Sequence, residues 1–122
     1  MEQVIFLTPE EGVQMNRDRF TDLTRQFGDS GADDIVGRAV EALAARMAKC
    51  QRLYQAGDMD GMRRNLRSQI VISDQIGMVS LAEAARHVMV CMDREDGVAL
   101  AATLARLLRI GDRSLAAVWD SR

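Results

Sequence analysis

The only proline in this 122-residue chain is Pro9, and this limits the fold more than any other feature of the sequence. Proline breaks the interior of a helix because it lacks an N–H group and its ring clashes with the preceding turn. The chain after Pro9 is therefore free to form helices, and the alanine, leucine, arginine and methionine that are abundant there favour them. We predict an all-α protein.

Apolar residues recur at three- and four-residue spacing between well-separated glycines, a pattern typical of amphipathic helices. Thr8 and Pro9 have the character of a helix start, so the first helix is predicted to begin there and to be regular from about Asn16 to Phe27. Later helices are predicted at about 30–56, 58–76, 79–92 and 98–119.

Short loops between long amphipathic helices favour antiparallel neighbours. The prediction is therefore an up-down antiparallel four-helix bundle with an extra N-terminal helix, and with no strand beyond the first few residues. The whole chain is predicted to be one domain over residues 1–122, with an N-terminal segment over 1–15 and the helices of the bundle over 16–122.

The overall charge and the cysteines exclude several classes of function. A net charge of −2 is too small a bias to indicate nucleic acid or an anionic membrane as partner. The longest early apolar run, residues 4–7, is too short for a signal peptide or a membrane span. Cys50 and Cys91 lie in apolar helical patterns, so we interpret them as buried side chains in a reducing compartment. We expect a cytoplasmic protein without a cofactor or a metal.

The features that separate the helices follow a definite order. A Phe27-Gly28-Asp29 turn precedes the long helix, an aspartate-containing loop at 57–60 follows it, and the next helix ends at Gly77, before a helix with a Leu-x-x-x-Ala pattern at 81–85. From Phe27 to Trp119 this order resembles the histidine phosphotransfer (HPt) domain of bacterial phosphorelays. The resemblance implies an up-down four-helix bundle that acts in two-component signalling.

The phosphate-accepting histidine of that family lies ten residues before the glycine that ends its helix, and Gly77 places Arg67 at this position. Ile70 and Val71 replace the family's lysine and glycine, and no histidine lies on this helix. A neutral imidazole has a lone pair that can attack an aspartyl phosphate, whereas a guanidinium group only donates hydrogen bonds. The resemblance therefore implies a non-catalytic module that binds a receiver domain or a histidine kinase without accepting phosphate.

The residues predicted to contact such a partner are Arg63, Arg67, Val71, Asp74 and His87. The basic group of Arg63, Arg64 and Arg67 either receives an acidic patch or a phosphoryl group, or is a solvated face with intrahelical ion pairs.

Ile70, Val71 and Ile72 are consecutive and cannot all face one side of a helix. Val71 and Ile72 should then be partly exposed, or covered by residues 1–7 or by a partner. An alternative function follows from the same residues, because Val71, Ile72 and residues 1–7 could form the interface of a structural homo-oligomer.

His87 is the only histidine, and it lies ten residues after Gly77. An antiparallel helix pair could bring it to the height of Arg67. One alternative is an active phosphotransfer protein that uses His87 as a relocated phosphate acceptor, and the other is a boundary histidine with a satisfied hydrogen bond.

Overall fold

A computed structural model of the protein describes residues 4–8 and 13–120. The elements in chain order are a short hairpin and four helices: β1 (Val4–Thr8), β2 (Val13–Asn16), α1 (Arg17–Ala56), α2 (Met59–Gln75), α3 (Val79–Asp93) and α4 (Gly97–Asp120). The prediction of a four-helix, all-α fold is confirmed for the bundle, and the hairpin is an addition to it. No helix in these two ranges is both long enough and apolar enough to cross a bilayer.

The hairpin corrects the predicted start of the first helix. Thr8 ends β1, and Val13–Asn16 forms β2, which pairs antiparallel with β1. Residues 9–12, where most of the predicted helix start lies, are outside the described residues. Apolar and polar side chains alternate over residues 13–16, which suits a strand, and the pairing with β1 satisfies main-chain groups that a helix would otherwise satisfy.

Helix α1 begins where its regular part was predicted. Asn16 caps it, because the Asn16 side-chain oxygen accepts a hydrogen bond of 3.0 Å from the main-chain N–H of Asp18. Gly28 interrupts the helix with φ 77° and ψ 171°, so the predicted extra N-terminal helix is the part of α1 before this kink. The helix resumes before residue 30, where the second helix was predicted to begin, because Gly28 is the one residue of α1 with non-helical angles.

The turns between the helices also follow the predicted glycines and aspartates. Gly57 ends α1 with φ 72°, and the Asp58 carboxylate caps α2 by accepting a 2.9 Å hydrogen bond from the Gly61 N–H. Gly77 has φ 76° and separates α2 from α3. Local sequence signals were therefore sufficient to place these boundaries.

Each helix packs against the next along the chain, and α4 also packs against α1. The core contains large apolar side chains from all four helices, among them the fully buried Leu43, Met62, Leu66, Leu81, Val88 and Leu107. The hairpin packs through β2 against α3 and α4. Main-chain hydrogen bonding ties it to the turn between α2 and α3, because the Asn16 N–H donates to the Gly77 carbonyl oxygen at 2.7 Å.

Candidate functional site

Two ion pairs join α2 to α3. The Asp74 carboxylate lies 2.6 Å from the Arg86 guanidinium, and the Arg63 guanidinium lies 2.5 Å from the Asp93 carboxylate. Since each pair has one member on each helix, the two pairs show the register of α3 against α2. The α2 segment between Arg63 and Asp74 therefore lies beside the α3 segment between Arg86 and Asp93.

The exposed side chains between these ion pairs form one surface. On α2 the spacing is four, four and three residues, and on α3 it is four and three, so each set lies on one side of its helix. We call this surface the α2–α3 face, and its residues are Arg63, Arg67, Val71, Asp74, Arg86, Val90 and Asp93. At its centre Val71 is 55% exposed and Val90 is 44% exposed.

The exposure of Val71 follows from the run of three apolar residues. Ile70 and Ile72 are half-buried and pack against the core, which leaves Val71 pointing away from it. The N-terminal hairpin packs against α3 and α4, and Val71 retains its exposure. Coverage of Val71 by residues 1–7 is therefore not observed for β1, and residues 1–3 lie outside the described residues.

The charged residues of the α2–α3 face differ in their partners. Arg63 and Asp74 pair with α3, so their ion pairs are interhelical and not the intrahelical pairs considered from the sequence. Arg67 is exposed and has no ion pair within residues 13–120. Both members of the Asp74–Arg86 pair are about half exposed, and exposed pairs of this kind contribute about 1 kcal/mol or less. These pairs orient the face more than they stabilise the bundle.

His87 lies on the other side of α3, next to α4. Its Nδ1 is 3.4 Å from Nη1 of Arg106. A guanidinium group only donates, so Nδ1 is the acceptor in this long contact. The structure thus brings four of the five predicted contact residues together and places His87 on the neighbouring surface.

No match to this chain is found among protein-family models, curated proteins or solved structures. Within the described ranges, no group of three or more histidine, cysteine, aspartate or glutamate side chains is placed to hold a metal ion. The geometry of the α2–α3 face is therefore the main guide to function.

Sequence reasoning missed the α3 half of this face, namely Arg86, Val90 and Asp93. The spacing of four and three residues can be read from the sequence. The same spacing occurs on many exposed helix surfaces, so it does not select these three residues. The register between α2 and α3 selects these residues, and that register depends on packing in the bundle. With it, Arg67 lies near the height of Val90 and not of His87.

Cys50 and Cys91 are both free thiols, but their surroundings differ. Cys50 is buried, and this burial raises its pKa from 9.0 to about 11, although a hydrogen bond with Gln69 acts in the opposite direction. Cys91 is half-buried. Because the thiolate is the reactive form, Cys50 should be both inaccessible and unreactive near neutral pH.

We expect a disulfide reagent such as DTNB at pH 8 to modify Cys91 in the folded protein and to modify Cys50 only on unfolding. The thiolate fraction falls about tenfold for each unit by which the pKa is raised above the pH. The measurement is the rate of thionitrobenzoate release from the C50S and C91S variants, with and without denaturant. Equal rates from both native variants would contradict the burial of Cys50.

Proposed function

We propose that this chain is a non-catalytic protein-interaction module of the HPt type. It binds a receiver domain or a histidine kinase through the α2–α3 face, accepts no phosphate and needs no cofactor. The observation that carries this proposal is the exposed apolar centre of the face, Val71 and Val90, between two interhelical ion pairs.

The proposal includes an up-down antiparallel bundle. The two ion pairs that support it have nearly the same midpoint in the sequence, residue 80 for Asp74–Arg86 and residue 78 for Arg63–Asp93. Around Gly77, Asp74 pairs with Arg86, and further from the turn Arg63 pairs with Asp93. Such contacts are expected when two consecutive helices run in opposite directions.

The α2–α3 face has the composition of a transient protein interface, with an apolar centre and a charged rim. Covering one valine fully contributes roughly 1.5–3 kcal/mol, whereas rim charges at this exposure contribute mostly to orientation and association rate. A binding energy that comes mainly from two half-exposed valines is modest. It therefore suits a transient complex of the kind that signalling proteins form.

Arg67 supports binding without phosphate transfer. It is exposed at the position that the resemblance gives to the phosphate acceptor. Its guanidinium is unpaired within the described ranges and offers planar donors that fit a carboxylate or a phosphoryl group. Receiver domains carry an acidic, phosphate-accepting site, so Arg67 would contact that site and could not take the phosphoryl group from it.

The test is a binding survey against the receiver domains and histidine kinases of the source genome, with the V71E and V90E variants beside the natural chain. We expect one partner whose Kd rises at least about tenfold in either variant, because a charge would be buried in the apolar centre. Isothermal titration calorimetry measures this change directly.

The matched control is Val98→Glu on α4, since Val98 is 86% exposed and is not one of the residues that form the α2–α3 face. This variant should bind with unchanged affinity. If none of the receivers or kinases binds, or if V98E weakens binding as much as V71E, the proposal is wrong. Light scattering on the same samples tests the homo-oligomer, which would require self-association that V71E abolishes.

One observation favours the second candidate, an active phosphotransfer protein. The exposed His87 lies beside the exposed Arg106, whose charge could stabilise a phosphoryl group on the ring. Incubation with phosphorylated receivers distinguishes the two functions. Acid-labile label on the chain that disappears in a His87→Gln variant would establish the second candidate and remove the first.

A further inference from the structure

A groove of about 570 Å³ runs between α1 and α2, on the other side of α2 from the α2–α3 face. Ligand sites in proteins commonly have volumes of roughly 300–1,000 Å³. The charged and polar side chains that line this α1–α2 groove are Arg46, Lys49, Asp58, Arg64, Asn65 and Ser68. Three of them are cations and one is an acid, in a chain whose net charge is −2.

The three cations of the groove have no carboxylate partner within residues 13–120. Ion pairs are formed elsewhere by the exposed Arg25, Arg38 and Arg86, whereas Arg46, Lys49 and Arg64 form none. Unpaired cations that share a groove repel one another and create a local positive potential. An anion bound between them would remove that repulsion.

Arg46 is held in place by neutral groups. Its Nε donates to Ser68 Oγ at 2.5 Å, and its Nη1 donates to the Ala42 carbonyl oxygen at 3.3 Å. Neither acceptor carries a charge, so no negative group offsets the charge of this half-buried guanidinium through these hydrogen bonds. Its Nη2 forms no hydrogen bond within the described residues and remains available to a ligand.

The backbone around Arg46 is fixed from the interior of the bundle. Asn65 donates from Nδ2 to the Arg46 carbonyl oxygen at 3.0 Å, and its Oδ1 accepts from Gln69 Nε2 at 2.7 Å. Gln69 is fully buried. Because this chain of hydrogen bonds starts in the core, Arg46 is positioned before any ligand arrives, which lowers the entropy cost of binding.

Ser68 and Asp58 define the two ends of the groove. The Ser68 hydroxyl accepts from Arg46, which leaves its own proton free to donate to an anion. Asp58 is occupied with the Gly61 N–H at the start of α2, and Ser68 lies ten residues later, about 15 Å further along the helix. The Arg46–Ser68 end is therefore the end that suits a negative charge.

We propose that the α1–α2 groove binds a small phosphate-bearing molecule, with its phosphoryl oxygens at Arg46 and Ser68 and further negative charge at Lys49 and Arg64. The planar guanidinium of Arg46 and the hydroxyl proton of Ser68 can each donate to a phosphate oxygen, and Lys49 and Arg64 add positive charge from exposed positions. This site is separate from the α2–α3 face and does not depend on a protein partner.

The test uses inorganic pyrophosphate, ATP and a penta-glutamate peptide as probes, at constant ionic strength and without metal ions. We expect saturable binding of pyrophosphate or ATP in an NMR titration, with the largest amide shifts around Arg46, Arg64 and Ser68. The ratio of the two affinities tells whether the phosphates alone or the attached nucleoside contributes. The K49Q/R64Q variant, whose side chains form no hydrogen bond or ion pair within the described residues, should weaken binding at least about tenfold.

The matched control is R25Q/R38Q, which removes the same charge from exposed positions of α1 outside the groove. Its affinity should stay within about twofold of the natural chain. The proposal is overturned if neither phosphate probe saturates, if both double variants weaken binding equally, or if only the glutamate peptide binds.

Discussion

Alanine in place of Gly77 is expected to lower the free energy of unfolding by about 2–4 kcal/mol. Gly77 has φ 76°, a left-handed conformation that costs a residue with a Cβ atom roughly 1–2 kcal/mol. A Cβ at this position would lie 2.6 Å from the carbonyl oxygen of Asn16, which is a main-chain atom and cannot rotate away. Either the Asn16–Gly77 hydrogen bond or the turn itself would have to shift.

Gly57→Ala is the matched control for this change. Gly57 has φ 72°, but a Cβ there would meet nothing within 4 Å, so only the conformational cost of about 1–2 kcal/mol remains. Urea denaturation followed by circular dichroism measures both variants. A Gly57→Ala variant as unstable as Gly77→Ala would mean that the hairpin does not press against the α2–α3 turn.

Leu81→Ala is expected to destabilise the bundle by about 3–5 kcal/mol. Leu81 on α3 is fully buried, and the same core contains Leu66, Met62 and Leu107. The loss combines the transfer energy of the removed methyl and methylene groups with the cavity that remains, since neighbouring helices relax only partly. The urea midpoint should fall with little change in the slope of the transition.

Val90→Ala, on the same helix, is the control that distinguishes the loss of a buried side chain from other effects of substitution by alanine. Val90 is 44% exposed, so its truncation should change stability by less than about 1 kcal/mol. Under the proposed function, Val90→Ala also lowers the affinity for the partner, whereas Leu81→Ala lowers it only by unfolding the bundle. Comparable losses of stability in the two variants would contradict the position of α3 in the core.

The boundaries of the helices could be predicted because they depend on local chemistry. Gly28, Gly57 and Gly77 all have positive φ, where glycine alone carries no steric cost, so their positions in the sequence were sufficient. The strand at Val13–Asn16 could not be predicted in this way. It depends on residues 4–8 and on hydrogen bonds to Gly77 and Ser80, which are distant in the sequence.

The residues of the candidate site were likewise predictable only where they depend on local sequence. The α2 residues of the α2–α3 face follow from spacing along one helix. Val90 and Arg86 required the register between two helices, and His87 was misplaced relative to Arg67 because equal distance from Gly77 does not fix the rotation of α3. Consecutive side chains on a helix point about 100° apart, so Arg86 faces α2 while His87 faces α4.

The hairpin is joined to the middle of the chain at two points, by Asn16 to Gly77 and by Gln14 to the Ser80 hydroxyl. A shortened version that began at Arg17 would lose both links and the cap of α1 together. Trimming the N-terminal segment to improve expression would therefore remove hydrogen bonds that hold the α2–α3 turn in place. Affinity tags are better attached after Asp120, at the end of α4.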